Sequence, residues 1–464
     1  MAFPKKEKKA KEKDPNKLGG GTLLIWSSSA ASASIQVVLI GYLTMYLTNA
    51  LEMNVTLVGT ILMATKILDG FTDIFAGYIV DRTNTKIGKG RPYDICVMLI
   101  WLATWALYSV PTGWSTFMKC VYIIICYTLS QSVFRTFITA SNTVYMVRAF
   151  NNEQKYIKIN SWGALISTFG VVIFNIIFPM FYANVLYDAA GWSSLVGFIA
   201  IPLGIIGLLR FLFIPEKYVV EDTTQKASFK DVITLLKTNK NIYPVGVLQF
   251  VVGISSNIAV GSYYFQYIVG NVSITGIMSM FTVIAMLSLA FYPMLLKHIT
   301  TKQLIQYSLL LSLGSGLIGF FALDNLVMIG IAATISGFVS LPMSYMFNML
   351  IIDCADYNEC NGNKRMEATL SSVTGFMNKV GSAFGTFLTG ILLGAVGFVS
   401  GAETQSGSVL LMIRAATYLI PMAFSLFAAF LLTFYKLDKI RPQMNEKLKE
   451  LRGQNAEAAQ QAQV

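Results

Sequence analysis

Long apolar stretches separated by short polar ones form the basic pattern of this 464-residue chain. A helix needs about 20 consecutive apolar residues to cross the hydrocarbon core of a bilayer. Twelve stretches are therefore predicted to be membrane-spanning helices: 24–47, 56–80, 93–110, 117–146, 157–181, 192–213, 243–268, 276–297, 305–323, 326–350, 367–397 and 410–435. The pattern predicts an all-α membrane protein.

The longest polar interruption between these stretches, residues 215–241, separates the sixth from the seventh. It divides the chain into two halves of six helices each. The predicted units are a disordered basic tail (1–20), an N-terminal six-helix bundle (21–213), a central loop (214–242), a C-terminal six-helix bundle (243–435) and a C-terminal helix with its tail (436–464). Two such halves are typical of transporters built from repeats, which hold the substrate near the midplane of the membrane.

Composition and charge agree with a membrane protein, since 55% of the residues are hydrophobic and only 13% are charged. The net charge is +11, and the basic residues concentrate in alternate segments: the N-terminal tail, 82–91, 148–158, 217–240, 297–302, 364–365 and the C-terminal tail. The polar segments between them contain no lysine or arginine. Cytoplasmic loops carry such an excess. Both termini are therefore predicted to be cytoplasmic, and the charge requires no nucleic-acid partner.

Catalytic and metal-binding patterns are poorly represented in the sequence. The five cysteines have no metal-ligand spacing, and His298 is the only histidine. No His, Cys or Ser constellation has catalytic spacing. We therefore predict neither an enzyme nor a resident cofactor.

Three charged residues occur inside the second apolar stretch, where a charge is costly. Lys66, Asp69 and Asp73 are spaced i, i+3 and i+7, so a helix places them on one face. Each charge costs about 2.5–3.5 kcal/mol at the bilayer centre, which requires a protein interior or an aqueous cavity around it. One interpretation is a structural salt bridge. The other is a net-negative site for a hard monovalent cation or a proton.

Two longer motifs resemble a known family. The first begins inside the second apolar stretch and continues into the loop after it: Asp69-Gly-Phe-Thr-Asp73, Gly77, Asp81-Arg82-Thr83, Gly88-Lys89 and Arg91-Pro92. The second follows the tenth stretch and continues into the eleventh: Asp353-Cys-Ala-Asp356-Tyr357-Asn-Glu359, Gly362, Arg365, Glu367 and Lys379-Val-Gly381-Ser-Ala383. In this order they resemble the glycoside–pentoside–hexuronide:cation symporters, the melibiose-permease-like family of the major facilitator superfamily. The resemblance implies twelve transmembrane helices in two pseudo-symmetric six-helix bundles.

The resemblance also implies cation-coupled uptake with Na⁺, Li⁺ or H⁺ bound by the carboxylates of the second helix. It assigns the cation site to Asp69 and Asp73, with Thr72 and Ser132 as neutral oxygen donors, and these carboxylates bind the metal if the ion is Na⁺. Oxygen ligands suit hard cations. Lys379, alone in the middle of the eleventh stretch, lies near this site in family terms.

Charged loop residues of the two halves form the implied gate. In an outward-facing state, cytoplasmic salt bridges would join one half to the other, and their breakage would open the inner side. The residues concerned are Asp81, Arg82, Lys89 and Arg91 of the first half and Asp353, Asp356, Glu359 and Arg365 of the second. The simpler alternative is that some of these are solvated loop charges.

The sequence departs from the family at the positions that bind a galactoside. An aspartate of the first helix is replaced by Ala33, and one of the fourth helix by Arg135; the family's fifth-helix arginine falls near Trp162 or Gly163. The acidic galactoside-binding pair is absent, which disfavours melibiose itself.

Arg135 has two interpretations: it pairs with Asp69 or Asp73, or it binds an anionic substrate through its planar fork, with Lys66 as a second cation. A glycoside also needs aromatic and hydrogen-bonding partners. The candidate substrate ligands are Lys66, Arg135, Gln131, Trp162, Tyr263, Tyr264, Gln249, Asn257 and Lys379.

These observations predict a monomeric, multi-pass transporter of the cell membrane. It would take up a small sugar or glycoside, an anionic one such as a hexuronide or sulfonated sugar being favoured, by alternating access. The alternatives are a lysolipid or other non-sugar transporter of the same fold and a membrane sensor that binds solute without transporting it.

Overall fold

The computed structural model describes residues 18–150, 153–218, 239–285, 288, 291–362 and 367–461. Within these ranges the chain is helical, and an isolated bridge between Thr85 and Gly88 is the only strand-like pairing. The helices are α1 (Gly20–Ala50), α2 (Val55–Arg82), α3 (Cys96–Leu107, preceded by a 3₁₀ turn at Arg91–Ile95), α4 (Thr116–Phe150), α5 (Glu153–Tyr182), α6 (Ala189–Phe213), α7 (Ile242–Tyr267), α8 (Ile274–Ala285), α9 (Thr301–Ala322), α10 (Leu326–Cys360), α11 (Glu367–Ala395), α12 (Gly407–Phe434) and α13 (Leu437–Gln461).

Eight of these helices contain an apolar stretch long enough to cross a membrane: α1, α4, α5, α6, α7, α9, α10 and α12. The described helical parts of α3 and α8 have 12 residues each. By contrast, α2 and α11 have 28 and 29 residues, which is ample for a span, and they carry three of the charged residues described below, Lys66, Asp69 and Lys379. The helix order is consistent with the twelve predicted spans.

Polar residues begin several helices at the points where the chain turns back into the apolar region. Asn54 accepts hydrogen bonds from the backbone N–H groups of Thr56 (3.0 Å) and Leu57 (3.2 Å) at the start of α2. Asn325 and Asp188 cap α10 and α6 in the same way. A side-chain oxygen at this position satisfies backbone donors that have no partner inside the helix.

Each half has its own hydrophobic core. In the N-terminal half, α1, α3, α4, α5 and α6 enclose a cluster of large aromatic residues around Trp192. A buried ion pair between Arg210 and Asp94 joins α6 to the start of α3, and Ser29 of α1 donates to the same carboxylate (3.0 Å). In the C-terminal half the core is mainly aliphatic and includes Leu437, Met444 and Leu448 of α13, whose apolar face packs against α10.

Two features of the loops predicted to be cytoplasmic differ from, or lie beyond, the sequence prediction. The predicted tenth span ends at residue 350, whereas α10 continues to Cys360, so Asp353, Asp356 and Glu359 are helical. Helix α13 packs against α10 and so stabilises this extension in a helical conformation. Arg365 and most of the N-terminal tail and the central loop lie outside the described residues, and nothing is described of the side chains of Asp73 and Asp81.

Candidate functional site

A cavity of about 670 Å³ lies between the two halves. Its walls come from α1, α2 and α4 on one side and from α7 and α11 on the other. Four charged side chains line it: Lys66, Asp69, Arg135 and Lys379. A concave pocket of this size with a few convergent polar groups is the usual form of a small-molecule site.

Lys66 reaches from α2 across the cavity to the opposite half. Its ammonium group donates to Asn257 Oδ1 (3.1 Å) on α7 and to Ser382 Oγ (3.2 Å) and Thr386 Oγ1 (2.7 Å) on α11. Three acceptors match the three protons of an ammonium group. This explains how the protein accommodates a lysine inside the membrane, and it shows that Lys66 joins the two halves.

A second lysine spans the same boundary in the opposite direction. Lys379 of α11 lies 3.1 Å from the Asp69 carboxylate of α2. These two helices pack on each other along their length, and ten residues before Asp69 a Cβ atom on Gly59 would lie 3.1 Å from the Cα atom of Gly390. The charged centre is therefore built at the α2–α11 contact.

Arg135 on α4 has neutral partners. Its guanidinium group donates to Gln36 Oε1 (2.9 Å) and to the backbone oxygen of Ala33 (3.2 Å), both on α1. In the described part of the chain no carboxylate lies within ion-pair distance of it. Of the two interpretations of Arg135, pairing with Asp69 is absent from this conformation, while pairing with Asp73 stays a prediction because that side chain lies outside the described part of the structure. Cavity exposure, which substrate binding requires, is present.

The predicted cation-site residues are divided between two helices that pack on each other: Asp69, Thr72 and Asp73 belong to α2 and Ser132 belongs to α4. The Thr72 hydroxyl donates to the backbone oxygen of Asp69 (2.9 Å), which leaves its lone pairs available. Ser132 is fully buried in a π-helical turn of α4, and its hydroxyl has no hydrogen-bond partner in the described part of the chain. The α2 helix packs on this turn. A π-turn of this kind often marks a functional site.

The predicted substrate ligands fall into two groups. Gln131 and Asn257 line the cavity, and Gln249 lies just behind the wall, where its side-chain oxygen accepts from Asn378 Nδ2 (2.8 Å). The other three are not part of this lining. Trp162 is 53% exposed on α5, Tyr263 is bonded to Thr48, and Tyr264 donates to the backbone oxygen of Leu323.

Hydrogen bonds close one end of the boundary between the halves. Thr48 and Tyr263 share a bond of 2.6 Å, Asn49 donates to Gln266 (2.8 Å), and Ser400 donates to the backbone oxygen of Met53 (2.7 Å). This end contains the loops without basic residues, which the charge pattern places outside the cell. Tyr263, predicted as a substrate ligand, is therefore positioned as part of this closure.

Two of the predicted gate residues of the first half, Lys89 and Arg91, make hydrogen bonds within that half. The backbone N–H groups of Lys89 and Arg91 donate to the carboxylate of Glu216 at 2.9 and 2.7 Å. The Arg91 side chain donates to the backbone oxygen of Phe211 (2.9 Å). The carboxylate of Glu216 thus caps the 3₁₀ turn that precedes α3.

In the second half, the predicted gate residue Asp353 also contacts residues of its own half. This carboxylate is 3.3 Å from Arg441 of α13 and accepts from the Tyr435 hydroxyl (2.9 Å). Lys302, at the start of α9, donates to the backbone oxygen of the same Tyr435 (2.6 Å). These contacts join α9, α10 and α13 within one half. Cross-half salt bridges are predicted for an outward-facing state, and they stay a prediction.

The sequence interpretation did not single out two cavity residues, Ser382 and Thr386, nor the buried Gln36 behind the cavity wall. Ser382 and Thr386 bind Lys66, and with Lys379 they are spaced i, i+3 and i+7, so helical periodicity alone assigns them to one face. Gln36, which orients Arg135, also donates to Thr104 Oγ1 (2.7 Å). No spacing in the sequence links Gln36 to Arg135, because they lie on different helices.

The sequence matches the MFS/sugar transport protein family over residues 25–439. Among curated proteins it is 27% identical to the isoprimeverose transporter of Lactiplantibacillus pentosus, over 89% of this chain and 88% of that protein. It is 25% identical to the glucuronide carrier protein homolog of Escherichia coli (85% and 88%). It is 23% identical to the putative sulfoquinovose importer of Salmonella typhimurium (86% of each).

The fold is shared with solved transporter structures. A nucleoside transporter superposes with a TM-score of 0.61 at 15% identity, over 89% of this chain and 100% of that one. A D-xylose–proton symporter superposes with a TM-score of 0.59 at 13% identity, over 89% and 97%. These similarities establish the major facilitator fold. By its family match over most of its length, this chain belongs to the MFS/sugar transport family of membrane transporters rather than to an enzyme family.

Proposed function

We propose that this protein is a cation-coupled symporter of an anionic sugar, such as a hexuronide or a sulfonated sugar. The observation that carries the proposal is the environment of Arg135. Its guanidinium group lines the central cavity and bonds only to neutral groups in the described part of the chain. A planar fork held in this way suits bidentate binding of a carboxylate or sulfonate.

The charge balance of the cavity supports an anionic solute. Three cations, Lys66, Arg135 and Lys379, line it with one described carboxylate, Asp69. Counting Asp73 as a further negative charge still leaves an excess of one positive charge. In a cavity shielded from bulk water, that excess favours an anion over a neutral sugar.

Two relatives support the same class of solute. One is named as a glucuronide carrier homolog and one as a putative sulfoquinovose importer. A glucuronide bears a carboxylate and sulfoquinovose bears a sulfonate. The isoprimeverose transporter is named for a neutral sugar, and it therefore favours a neutral solute instead.

Coupling is assigned to the α2 carboxylates. A Na⁺ ion or a proton at Asp69 and Asp73, with Thr72 and Ser132 as neutral donors, would compete with Lys379 for Asp69. Release of Lys379 would free the α2–α11 contact and add a cation for the solute. Binding of ion and solute would then be mutually favourable, as symport requires.

The hydrogen bonds at one end of the boundary between the two halves support alternating access as the mechanism. The bonds of Thr48, Asn49 and Ser400 close the end predicted to be extracellular, so we assign the described conformation to the inward-facing side of the cycle. The protein is proposed to lie in the cell membrane as a monomer, with both termini in the cytoplasm.

The test is a binding measurement on the purified protein and its Arg135→Ala and Arg135→Lys variants. Glucuronate, sulfoquinovose and the neutral disaccharide isoprimeverose are compared with and without Na⁺. Charge-assisted hydrogen bonds contribute about 1.5–3 kcal/mol, so Arg135→Ala should weaken binding of the anions about 10- to 100-fold. Arg135→Lys should recover part of the loss. Tight binding of isoprimeverose alone would contradict the proposal.

The Na⁺ arm tests coupling separately from the solute. If Na⁺ is the coupling ion, it should tighten binding of the anionic sugar, because linked ligands stabilise each other's complex. A Na⁺-independent affinity that changes with pH would assign the role to the proton. A sugar affinity that changes with neither Na⁺ nor pH would contradict cation coupling.

A further inference from the structure

Helix α7 is interrupted in the middle of the membrane domain. It is helical over Ile242–Ser256 and again over Gly261–Tyr267, with a non-helical stretch at 257–260. Irregular backbone at membrane depth is tolerated only where protein or a cavity satisfies its polar groups. Here Asn257 accepts from Lys66, and the N–H of Ala259 donates to Thr389 Oγ1 (3.1 Å). The interruption therefore belongs to the wall of the central cavity.

A second cavity of about 540 Å³ lies behind this interruption, inside the C-terminal half. We call it the C-half cavity; it is enclosed by α7, α8, α9, α10 and α12. Nine serines and two threonines line it, and its described lining contains no charged residue. The C-half cavity is thus hydroxyl-rich and neutral, while the central cavity is cationic.

The lining hydroxyls are presented in a form suited to a polyhydroxylated ligand. Ser279, Ser340 and Ser344 donate to backbone oxygens of their own helices at 2.6–3.1 Å, which leaves acceptor lone pairs. Ser312 is 3% exposed, and its hydroxyl has no hydrogen-bond partner in the described part of the chain. A buried hydroxyl without a partner in the protein can form a hydrogen bond with a molecule bound in the cavity.

The two cavities share a wall at the interruption. Ser256 lines both of them, and its side chain is exposed although it lies inside the membrane domain. On the far side, a Cβ atom added to Gly261 would meet no atom within 4 Å, so this position also borders open space. The interruption of α7 thus lies between a cationic cavity and a neutral one.

We propose that the C-half cavity is the subsite for a neutral sugar ring of the transported solute. This inference rests on the proposed function, since it takes the acidic ring to lie at Arg135 in the central cavity. The neutral ring then extends past Ser256 into the C-half cavity, where serine hydroxyls exchange hydrogen bonds with its hydroxyls. The solute class is an acidic disaccharide, in which a uronic acid is linked to a neutral sugar.

The test uses glycine positions where a larger side chain has space. Gly261→Leu places a side chain in the C-half cavity, and Gly41→Leu places one in the central cavity, where a Cβ on Gly41 also meets no atom within 4 Å. Gly407→Leu, at the exposed start of α12 where a Cβ again meets no atom within 4 Å, is the matched control. Affinities are measured for glucuronate, for glucuronosyl-xylose and for p-nitrophenyl glucuronide.

Gly261→Leu should weaken binding of glucuronosyl-xylose about tenfold, and that of glucuronate less than about twofold. Gly41→Leu should weaken both, and Gly407→Leu neither. Ser336→Leu, which fills the C-half cavity from α10, should reproduce the Gly261→Leu result and guards against misfolding of one variant.

Equal effects of Gly261→Leu on glucuronate and on the disaccharide, or no effect on either, would overturn the subsite. So would a loss confined to p-nitrophenyl glucuronide, because the subsite would then take an apolar group. Failure of the proposed function is separate: the wild-type protein would bind neither acidic ligand, or bind them independently of Arg135.

Discussion

The interiors of the two halves contain different types of residue. Around Trp192 of the N-terminal half, aromatic rings fill the bundle, with ring centroids 5.3 Å from Tyr182, 5.5 Å from Tyr108 and 5.7 Å from Tyr46. All four side chains are fully buried. The C-terminal half contains the C-half cavity instead, in which nine serines stand among apolar side chains. Aromatic rings fill the interior around Trp192, whereas the C-terminal half retains a cavity with hydroxyl groups.

This difference assigns different tasks to the two halves. A densely packed aromatic core holds its helices at fixed positions, and it can therefore orient the charged residues of α2 and α4. The C-terminal half offers hydroxyl groups instead: Ser382 and Thr386 bind Lys66, and serines line its own cavity. The N-terminal half contributes most of the charges and the C-terminal half most of the neutral ligands. Lys379, which crosses to Asp69, is the exception.

The strongest test of this division removes the negative charge of the N-terminal half. Asp69→Asn should reduce gradient-driven accumulation of solute in membrane vesicles to background, because it removes the proposed cation ligand and the partner of Lys379. Glu403→Gln, an exposed carboxylate in a loop, is the matched control. Normal accumulation by Asp69→Asn, with protein inserted at wild-type levels, would exclude Asp69 from coupling.

Removal of the central aromatic residue should have the next largest effect, on stability. Trp192→Ala should lower the free energy of unfolding by about 3–5 kcal/mol, the usual cost of emptying a packed aromatic site. Phe198→Ala on the same helix, where the ring is 79% exposed, should change it by less than about 0.5 kcal/mol in lipid-like detergent. Denaturant titration of both variants gives the comparison, and similar values for the two would refute a packed core.

Lys66→Met tests whether hydroxyls of the C-terminal half act as ligands for a charge of the N-terminal half. Loss of hydrogen bonds to a charged group costs about 1.5–3 kcal/mol, so the transport rate should fall about 10- to 100-fold. The Lys297→Met substitution, of an exposed loop lysine, is the control. Thermal stability of Lys66→Met should stay close to that of the wild type. An unchanged rate would make the Lys66 contacts irrelevant to the cycle.

Ser312→Ala should have the smallest effect. The Ser312 hydroxyl has no partner in the described part of the chain, so its removal loses no hydrogen bond within the protein. The free energy of unfolding should change by less than about 1 kcal/mol, in contrast to Trp192→Ala. Calorimetric scans of the two variants side by side measure this, and a large loss from Ser312→Ala would show that the C-terminal interior is packed as tightly as the N-terminal one.

Much of the fold was predictable because the bilayer imposes a strict constraint on composition. Apolar segments of spanning length identify helices without any knowledge of their neighbours. The prediction was less accurate for the end of α10, which continues past residue 350 to Cys360. Its last turns are covered by α13, and contact with a helix far along the chain is not encoded in local hydropathy.

The residues of the candidate site likewise include some that the sequence predicted and some that it did not. Lys66, Asp69 and Lys379 were recognisable, since a charge within an apolar segment is costly enough to imply a function. Most of their partners were not, because Ser382 and Thr386 are ordinary residues whose role depends on which helix they face. Asn257 was predicted as a substrate ligand, and its bond to Lys66 could not be read from the sequence.

By itself, the sequence determined that this is a helical membrane protein of two halves with charged residues on α2 and α11. It also determined the family, through motifs spread over the chain. Only the tertiary structure decided that Lys66 and Lys379 cross between the halves in opposite directions, that Arg135 has neutral partners, and that Tyr263 contributes to closing one end. The physical reason is that hydrophobicity acts on each segment separately, whereas hydrogen bonds and ion pairs depend on the positions of two helices at once.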